Sequence, residues 1–208
     1  KTGTLLVNLA TPDAPTAPAI RRYLREFLSD PRVVELPRAL WLPVLYGFIL
    51  PFRPRKLVHA YTSVWQDGSP LLRISQEQAR CLSEALGPDI PVALGMTYGN
   101  PSLTDALADL DRQKVERILL LPLYPQYSGT TTAAVFDGVL RAFGTRRLLP
   151  ELSTINDYHD HPGYIAALAQ SVRNHWQREG RGDHLLMSFH SIPQRYVDAG
   201  DPYDKQCK

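Results

Sequence analysis

A histidine that follows an apolar run is the first residue in this sequence whose position suggests chemistry. The run is 185–189, and His190 comes directly after it, before Ser191 and Pro193. An apolar run that ends in polar residues and proline predicts a buried parallel strand, so His190 should lie at the carboxyl edge of a sheet, where open α/β sheets bind ligands. An imidazole titrates near neutral pH and can therefore hold a divalent metal or accept a proton. A lone histidine at a strand end is also common as a hydrogen-bonded structural residue, and the spacing leaves both interpretations open.

Five apolar runs predict the strands that would position such a histidine, namely 3–9, 90–96, 118–123, 148–154 and 185–189. Between them, apolar residues recur at spacings of three and four and predict helices over 18–28, 56–65, 74–86, 103–110, 129–143 and 164–176. Strands that alternate with helices imply right-handed crossovers and a mainly parallel sheet, or two such sheets. We therefore predict an α/β fold.

The most hydrophobic stretch of the chain is 36–52, which is interrupted by Pro37, Pro43, Gly47 and Pro51. A helix that spans a bilayer needs about 20 apolar residues without such breaks, so this stretch is not typical of a membrane span. Two interpretations remain. One is an ordinary pair of helices packed on the core, and the other is an apolar lip at the mouth of a pocket that also touches a membrane surface.

Composition excludes several classes of protein. With 44% hydrophobic residues, the 208-residue chain can build one large core or two small ones, as soluble globular proteins do. The 23 basic and 21 acidic side chains leave a formal charge of +2, which is too balanced for a protein that binds nucleic-acid phosphates. Cys81 and Cys207 form no C-x-x-C pair, so neither a zinc ribbon nor a disulfide framework is indicated.

Lys1 leads into a strand-like segment without a signal-peptide pattern, and we interpret the start as trimmed.

Three separated motifs resemble one enzyme family. Ser-Phe-His-Ser-Ile-Pro at 188–193 is followed by Gly-Asp-Pro-Tyr at 200–203, Tyr-Pro-Gln-Tyr-Ser lies at 124–128, and an apolar segment opens the chain at 1–9. Together they are similar to bacterial ferrochelatase, which inserts ferrous iron into a porphyrin as the last step of haem synthesis. The resemblance implies two Rossmann-like halves, which we predict as 1–124 and 125–208. The second half is expected to be incomplete, since the chain is expected to lack the carboxyl-terminal third of the family.

The resemblance also assigns residues to a porphyrin site. His190 matches the catalytic histidine of the family, which accepts a pyrrole proton or holds the iron. A porphyrin is flat and apolar with two carboxylates at one edge, so its site needs an apolar slot and a cationic clamp. The residues implied for that clamp, here called the propionate clamp, are Arg53, Lys56, Tyr61 and Ser69. Lys56 and Tyr61 also suit a plain surface helix, and Arg55 has no counterpart in the family.

Three further residues are expected to contact the macrocycle. Leu9 matches a hydrophobic position that touches the porphyrin in the family, although a place in the core suits it nearly as well. Tyr98 and Tyr124 each follow a predicted strand, so their side chains should reach the same crevice as His190 and could contact a porphyrin face or edge.

Three positions depart from the patterns of some ferrochelatases. Gly129 stands where certain members have a cysteine that holds an iron–sulfur cluster, so no such cluster is expected on this part of the chain. Asp13 stands where the branch that metallates coproporphyrin has tyrosine, which favours protoporphyrin as the substrate. Thr97 stands where many members have arginine, so one contact proposed on the metal side is missing.

The functional prediction is therefore insertion of Fe²⁺ into protoporphyrin IX to form protohaem, with iron as substrate and no required cofactor. The family's acidic partner of the histidine is a glutamate in the carboxyl-terminal third, so the 208-residue chain itself is expected to be inactive. We expect a cytoplasmic protein that binds no nucleic acid, and we leave open a peripheral contact with the inner membrane through 36–52.

Other functions are compatible with parts of the sequence. One is a chelatase that inserts cobalt or nickel into a reduced tetrapyrrole, and another is a porphyrin-binding module without turnover. A hydrolase built on Ser191 and His190 is disfavoured, because adjacent strand residues point to opposite faces and there is no G-x-S-x-G elbow. The cluster at 157–161 contains two histidines and two aspartates, which suit either a solvated turn before a helix or a surface metal site.

Overall fold

A four-stranded parallel sheet lies at the centre of the fold. The computed structural model describes residues 1–144 and 146–208. Its strands are β1 (Thr2–Ala10), β2 (Val92–Tyr98), β3 (Arg117–Pro122) and β4 (Glu151–Thr154). They lie in the order β2-β1-β3-β4, and every neighbouring pair is parallel. The central position of β1 explains its continuous apolar sequence, since helices cover both faces of a parallel sheet.

Helices connect the strands as the alternating pattern predicted. Before β2 they are α1 (Ala17–Ser29), α2 (Arg38–Val44), a π-helical turn (Leu45–Ile49), α3 (Leu50–Val64) and α4 (Pro70–Leu86). After β2 they are α5 (Leu103–Arg112), a π-helical turn (Gly129–Ala133), α6 (Ala134–Phe143), α7 (Pro162–Glu179), α8 (Gln194–Asp198) and α9 (Tyr203–Gln206). The predicted α/β class is confirmed. The helix predicted over 56–65 begins six residues earlier, at Leu50, and α8 and α9 were not predicted.

The chain divides into two compact units. The larger, here called the sheet unit, comprises Lys1–Leu123 and Gly129–Ile155 and holds the whole sheet with α1 to α6. The smaller, here called the histidine unit, comprises Tyr124–Ser128 and Asn156–Lys208 and holds α7 to α9 with His190. The predicted division into 1–124 and 125–208 stays a prediction.

The core of the sheet unit is built on β1. Leu5, Leu6 and Val7 are at most 1% exposed, and each fully buried side chain of this kind contributes about 1.5–3 kcal/mol. A close approach of α5 to β2 depends on Gly95, because a Cβ there would lie 2.9 Å from Leu103 Cδ2. A larger residue at this position would force the Leu103 side chain to move and would crowd Ala106 of α5 at 3.3 Å.

A second cluster explains the stretch 36–52. Leu45 and Leu50 are buried against Ile20 and Leu24 of α1. Neighbouring side chains of the same stretch are largely exposed, namely Leu40 (69%), Tyr46 (52%) and Phe48 (69%), with Phe52 at 64%. The stretch therefore packs on the core as helices and also presents an apolar surface. No helix among the described residues has the length and apolarity to cross a bilayer.

The prediction of a fifth strand at 185–189 is wrong. The backbone there belongs to no ladder with any described strand, and Leu186 and Met187 are 92% and 71% exposed. An apolar run becomes a buried strand only when a neighbouring strand accepts its backbone hydrogen bonds and another element covers its side chains. Neither condition is met among the described residues, so His190 follows an exposed segment without regular secondary structure instead of a strand end.

Candidate functional site

Arg53, Lys56 and Tyr61 of the predicted propionate clamp all lie on α3. Arg53 and Lys56 are exposed and three residues apart, so their side chains leave the helix on the same side. Tyr61 is partly buried and packs against the cluster that contains Ile20 and Leu24. The helix therefore fixes the tyrosine by packing and leaves the two cations free to reach a ligand.

The hydroxyl of Tyr61 has a partner that the sequence did not reveal. A hydrogen bond links it to the hydroxyl of Tyr23 on α1. Burial raises the pKa of both phenols above the ordinary value of 10.0, although the positive charge of Arg53 acts to lower the pKa of Tyr61. Tyr61 is therefore neutral at physiological pH. A neutral phenol has an O–H, which can donate to a carboxylate.

Ser69 is the fourth member of the propionate clamp and begins α4. It is 6% exposed, and its Oγ accepts from the backbone N–H of Leu72 at 3.4 Å. Thr11 Oγ1, in the loop after β1, donates to the same oxygen at 2.7 Å. Both oxygen lone pairs are thus occupied, which leaves the Ser69 O–H to donate to an acceptor. Thr11 was missed because a loop threonine carries no periodic signal.

The predicted macrocycle contacts have different surroundings. Leu9 is partly buried near the end of β1. Tyr98 is the last residue of β2 and only 5% exposed, and its hydroxyl donates to Asp30 Oδ2 at 2.9 Å. Tyr124 is partly buried in the histidine unit, shortly after β3. The Tyr98 hydroxyl therefore donates its proton to a buried carboxylate, and a contact with a ligand would have to involve the ring.

The imidazole of His190 is held in one tautomer. Its Nδ1 lies 2.6 Å from the backbone carbonyl of Ser191, and a carbonyl only accepts, so Nδ1 carries the proton. Nε2 is then the ring atom with a lone pair, ready for a metal or a proton. The ring belongs to an exposed residue, and no described residue forms a hydrogen bond with its Nε2.

The Gly-Asp-Pro-Tyr motif supports the backbone of this histidine. The His190 N–H donates to Tyr203 Oη at 3.2 Å. The Tyr203 N–H in turn donates to Asp201 Oδ1 at 3.1 Å, and Ser128 Oγ donates to Asp201 Oδ2 at 2.7 Å. Two of the motifs recognised in the sequence are therefore joined by hydrogen bonds within the histidine unit. Burial raises the pKa of Tyr203, so this hydroxyl stays protonated at neutral pH.

A second group of metal-binding atoms lies before α7. One atom each from Asp157, His159 and Asp160 lie within 4.8 Å of one another, and His159 Nδ1 is 2.9 Å from Asp157 Oδ1. His161 takes no part, because its Nδ1 accepts from the N–H of Gly163 and caps α7. The expected helix start is confirmed, and the three remaining side chains have the composition of a surface cation site.

Comparison with known proteins gives the family. The sequence model of ferrochelatase matches residues 1–208. The chain belongs to the ferrochelatase family. A curated ferrochelatase of Vibrio parahaemolyticus serotype O3:K6 is 56% identical over 209 residues, which cover 100% of this chain and 65% of the relative. Ferrochelatases of Aliivibrio fischeri and Aeromonas hydrophila are each 54% identical over all of this chain and over 64% and 65% of their own lengths.

Family membership confirms the recognition made from the motifs. The chain spans 64–65% of the length of these three curated ferrochelatases. Within this ferrochelatase chain, Arg53, Lys56, Tyr61, Ser69, Leu9 and Tyr98 belong to the sheet unit, whereas Tyr124 and His190 belong to the histidine unit. Their assignment to a porphyrin site remains a prediction.

Proposed function

We propose that this chain serves the insertion of Fe²⁺ into protoporphyrin IX to form protohaem, the terminal step of haem biosynthesis. The observation that carries the proposal is the fixed tautomer of His190, in a chain of the ferrochelatase family. Its Nδ1–H is bonded to the Ser191 carbonyl, so Nε2 is a base or metal ligand of defined direction. Iron enters the reaction as substrate, and we propose that no resident cofactor is needed.

The proposed chemistry follows from the proton balance. Metal insertion forms bonds from iron to four ring nitrogens and releases two pyrrole protons. An imidazole whose Nε2 carries a lone pair can accept one of them at that nitrogen, and the other proton passes to water or to a second base. The same atom could instead hold Fe²⁺ before transfer, and both roles need the tautomer that the Ser191 carbonyl selects.

We propose that the propionate clamp orients the porphyrin. Arg53 and Lys56 supply positive charge, and the hydroxyls of Tyr61 and Ser69 each have a proton to donate. Charge-assisted hydrogen bonds to two carboxylates would fix the macrocycle at one edge. Contacts remote from the metal can then support a bent ring, in which a pyrrole lone pair faces the iron.

Two measurements on the full-length protein test the proposal. Titration of the Soret band with protoporphyrin measures binding, and stopped-flow mixing with Fe²⁺ measures insertion. His190→Ala should slow insertion by roughly 10²–10⁴-fold while porphyrin still binds. Ser191→Ala is the matched control, since it keeps the backbone carbonyl that holds Nδ1 and should leave the rate unchanged. Binding without insertion by the unaltered protein would favour a porphyrin-binding module instead.

We further propose that the 208-residue chain alone does not insert iron, since the family resemblance assigns the acidic partner of His190 to a segment outside it. The same stopped-flow assay tests this directly. Insertion by the 208-residue chain above the uncatalysed rate would contradict it.

We also propose a cytoplasmic protein that contacts the inner membrane peripherally through 36–52, which we call the apolar lip. Its exposed Leu40, Tyr46 and Phe48 support this proposal. Vesicle sedimentation with Leu40→Ser and Phe48→Ser is the suitable test. Trp41 is a poor choice, because its Nε1 donates to the Leu28 carbonyl at 2.7 Å and its ring packs on the core. Equal vesicle binding by the unaltered protein and by the double variant would contradict the proposed membrane contact.

A further inference from the structure

A cationic cavity lies beside the apolar lip in the sheet unit. Its volume is about 220 Å³, and it is lined by Arg21, Arg22, Arg25, Tyr46, Leu50 and Pro51. Three of the lining residues are arginines of α1, and the other three belong to the apolar lip. None of these described lining residues is acidic, so the cavity combines positive charge with apolar surface.

The arginines of this cavity are poorly compensated within the protein. Arg22 lies 3.4 Å from Asp13, but both side chains are more than 40% exposed and such a pair contributes little. Among the described residues, Arg21 and Arg25 make no ion pair. They are four residues apart on α1, where like charges repel each other. An anion held between them would remove this repulsion.

The lip residues that line the cavity indicate which kind of anionic ligand would fit it. Tyr46 lies in the π-helical turn and is 52% exposed, while Leu50 is buried in the core cluster. Phe48, between them in sequence, is 69% exposed. A ligand in the cavity would thus meet arginine side chains together with Tyr46, Leu50 and Pro51, and Phe48 is exposed on the same turn. This combination matches an amphiphile with an anionic head.

We propose that the cavity binds the phosphate group of an anionic phospholipid. Arginine presents a planar fork of donors that fits phosphate oxygens, and a tyrosine suits the boundary between headgroups and acyl chains. The inference rests on the proposed membrane contact and adds to it a lipid preference and the residues that carry it. The apolar lip would supply affinity for any bilayer, and Arg21 and Arg25 would supply selectivity for an anionic one.

Sedimentation with two vesicle types tests the inference, one of phosphatidylcholine alone and one that also contains phosphatidylglycerol. The double variant Arg21→Gln with Arg25→Gln should bind the phosphatidylglycerol vesicles about 30-fold more weakly, from the contribution of each basic residue near an anionic surface. Its binding to phosphatidylcholine should change little. The matched control, Arg112→Gln with Arg117→Gln, removes the same charge from exposed residues elsewhere in the sheet unit and should keep the preference.

The outcomes separate this inference from the proposal on which it rests. If the unaltered protein binds both vesicle types equally, or if both double variants lose the preference alike, the cavity is not the site, although membrane contact would stand. If the unaltered protein binds neither type of vesicle, both the membrane contact and the phospholipid site in the cavity are contradicted. Far-UV circular dichroism of each variant, whose substitutions all lie at exposed positions, checks that the fold is retained.

Discussion

At the scale of single residues, the cations of α3 provide a test with an internal control. Arg53→Ala should weaken protoporphyrin binding by about 1.5–3 kcal/mol, because it removes a charge-assisted hydrogen bond to a propionate. Arg55→Ala is the matched control: Arg55 is exposed two residues further along the same helix and has no assigned role. Soret titration of the full-length variants gives both affinities. An equal loss of affinity in both variants would show that the positive charge of α3 attracts the porphyrin without a specific contact from Arg53.

Tyr158 offers a test of pH dependence within the histidine unit. Burial, followed by the neighbouring Tyr164, raises its pKa from 10.0 to about 12. Because the folded pKa lies above the unfolded one, the stabilisation is complete below pH 10 and is lost as the pH rises towards 12. The ring is only partly buried and lies against Tyr164 with centroids 5.4 Å apart. We therefore expect a loss of roughly 1 kcal/mol.

The comparison for this prediction is Tyr158→Phe, which keeps the aromatic contact and removes the titrating proton. The unfolding free energy of both chains is measured by denaturant titration from neutral to strongly alkaline pH. The variant should lose less stability than the unaltered chain in the interval between pH 10 and 12. Parallel curves would show that Tyr158 does not contribute to the alkaline loss.

At the scale of elements, Asp30 joins three segments of the sheet unit. It follows α1 and is 5% exposed, and its carboxylate accepts from the N–H of Arg32 at 2.8 Å. Tyr98 from the end of β2 and Arg141 from α6 donate to the other oxygen at 2.9 and 3.3 Å. Removing one donor leaves the buried carboxylate with fewer hydrogen bonds, which lowers the free energy of unfolding.

Tyr98→Phe should therefore lower the unfolding free energy by about 1–3 kcal/mol and leave protoporphyrin affinity nearly unchanged. Tyr46→Phe is the control, because Tyr46 is 52% exposed, whereas Tyr98 is 5% exposed. Denaturant unfolding and Soret titration of the same variants distinguish the two roles of Tyr98. Unchanged stability with weaker porphyrin binding would favour a contact with the ligand.

The elements also show what a sequence can reveal. The predicted ends of β1, β2 and β3 all lie within two residues of the observed ones, because each strand is an apolar run between clear breaks. The run 185–189 has the same composition but forms no strand, since strand formation depends on a partner that no local pattern encodes.

Thr11 and Tyr23 were missed for a related reason: each supports a predicted site residue across many positions in sequence. His190 was found because it lies in a recognisable motif, although the strand expected to position it is absent from the described residues.

At the scale of the whole chain, the two units differ in how much core they have. The sheet unit buries most of β1 and much of α5 and α6. Among the described residues of the histidine unit, Tyr196 is the one buried hydrophobic side chain. Burial of apolar surface is the main source of stability, so the histidine unit should open at a much lower free energy than the sheet unit.

Hydrogen exchange of the 208-residue chain tests this difference. Peptides that cover 185–189 should exchange almost as fast as an unfolded chain, because their backbone N–H groups join no ladder among the described residues. Peptides that cover Leu5–Val7 should be protected by many orders of magnitude, since β1 is paired on both sides. Low urea should expose the histidine unit first and leave β1 protected. Strong protection of 185–189 in the absence of urea would show that the apolar run is paired in solution and that the two units are not unequal in this way.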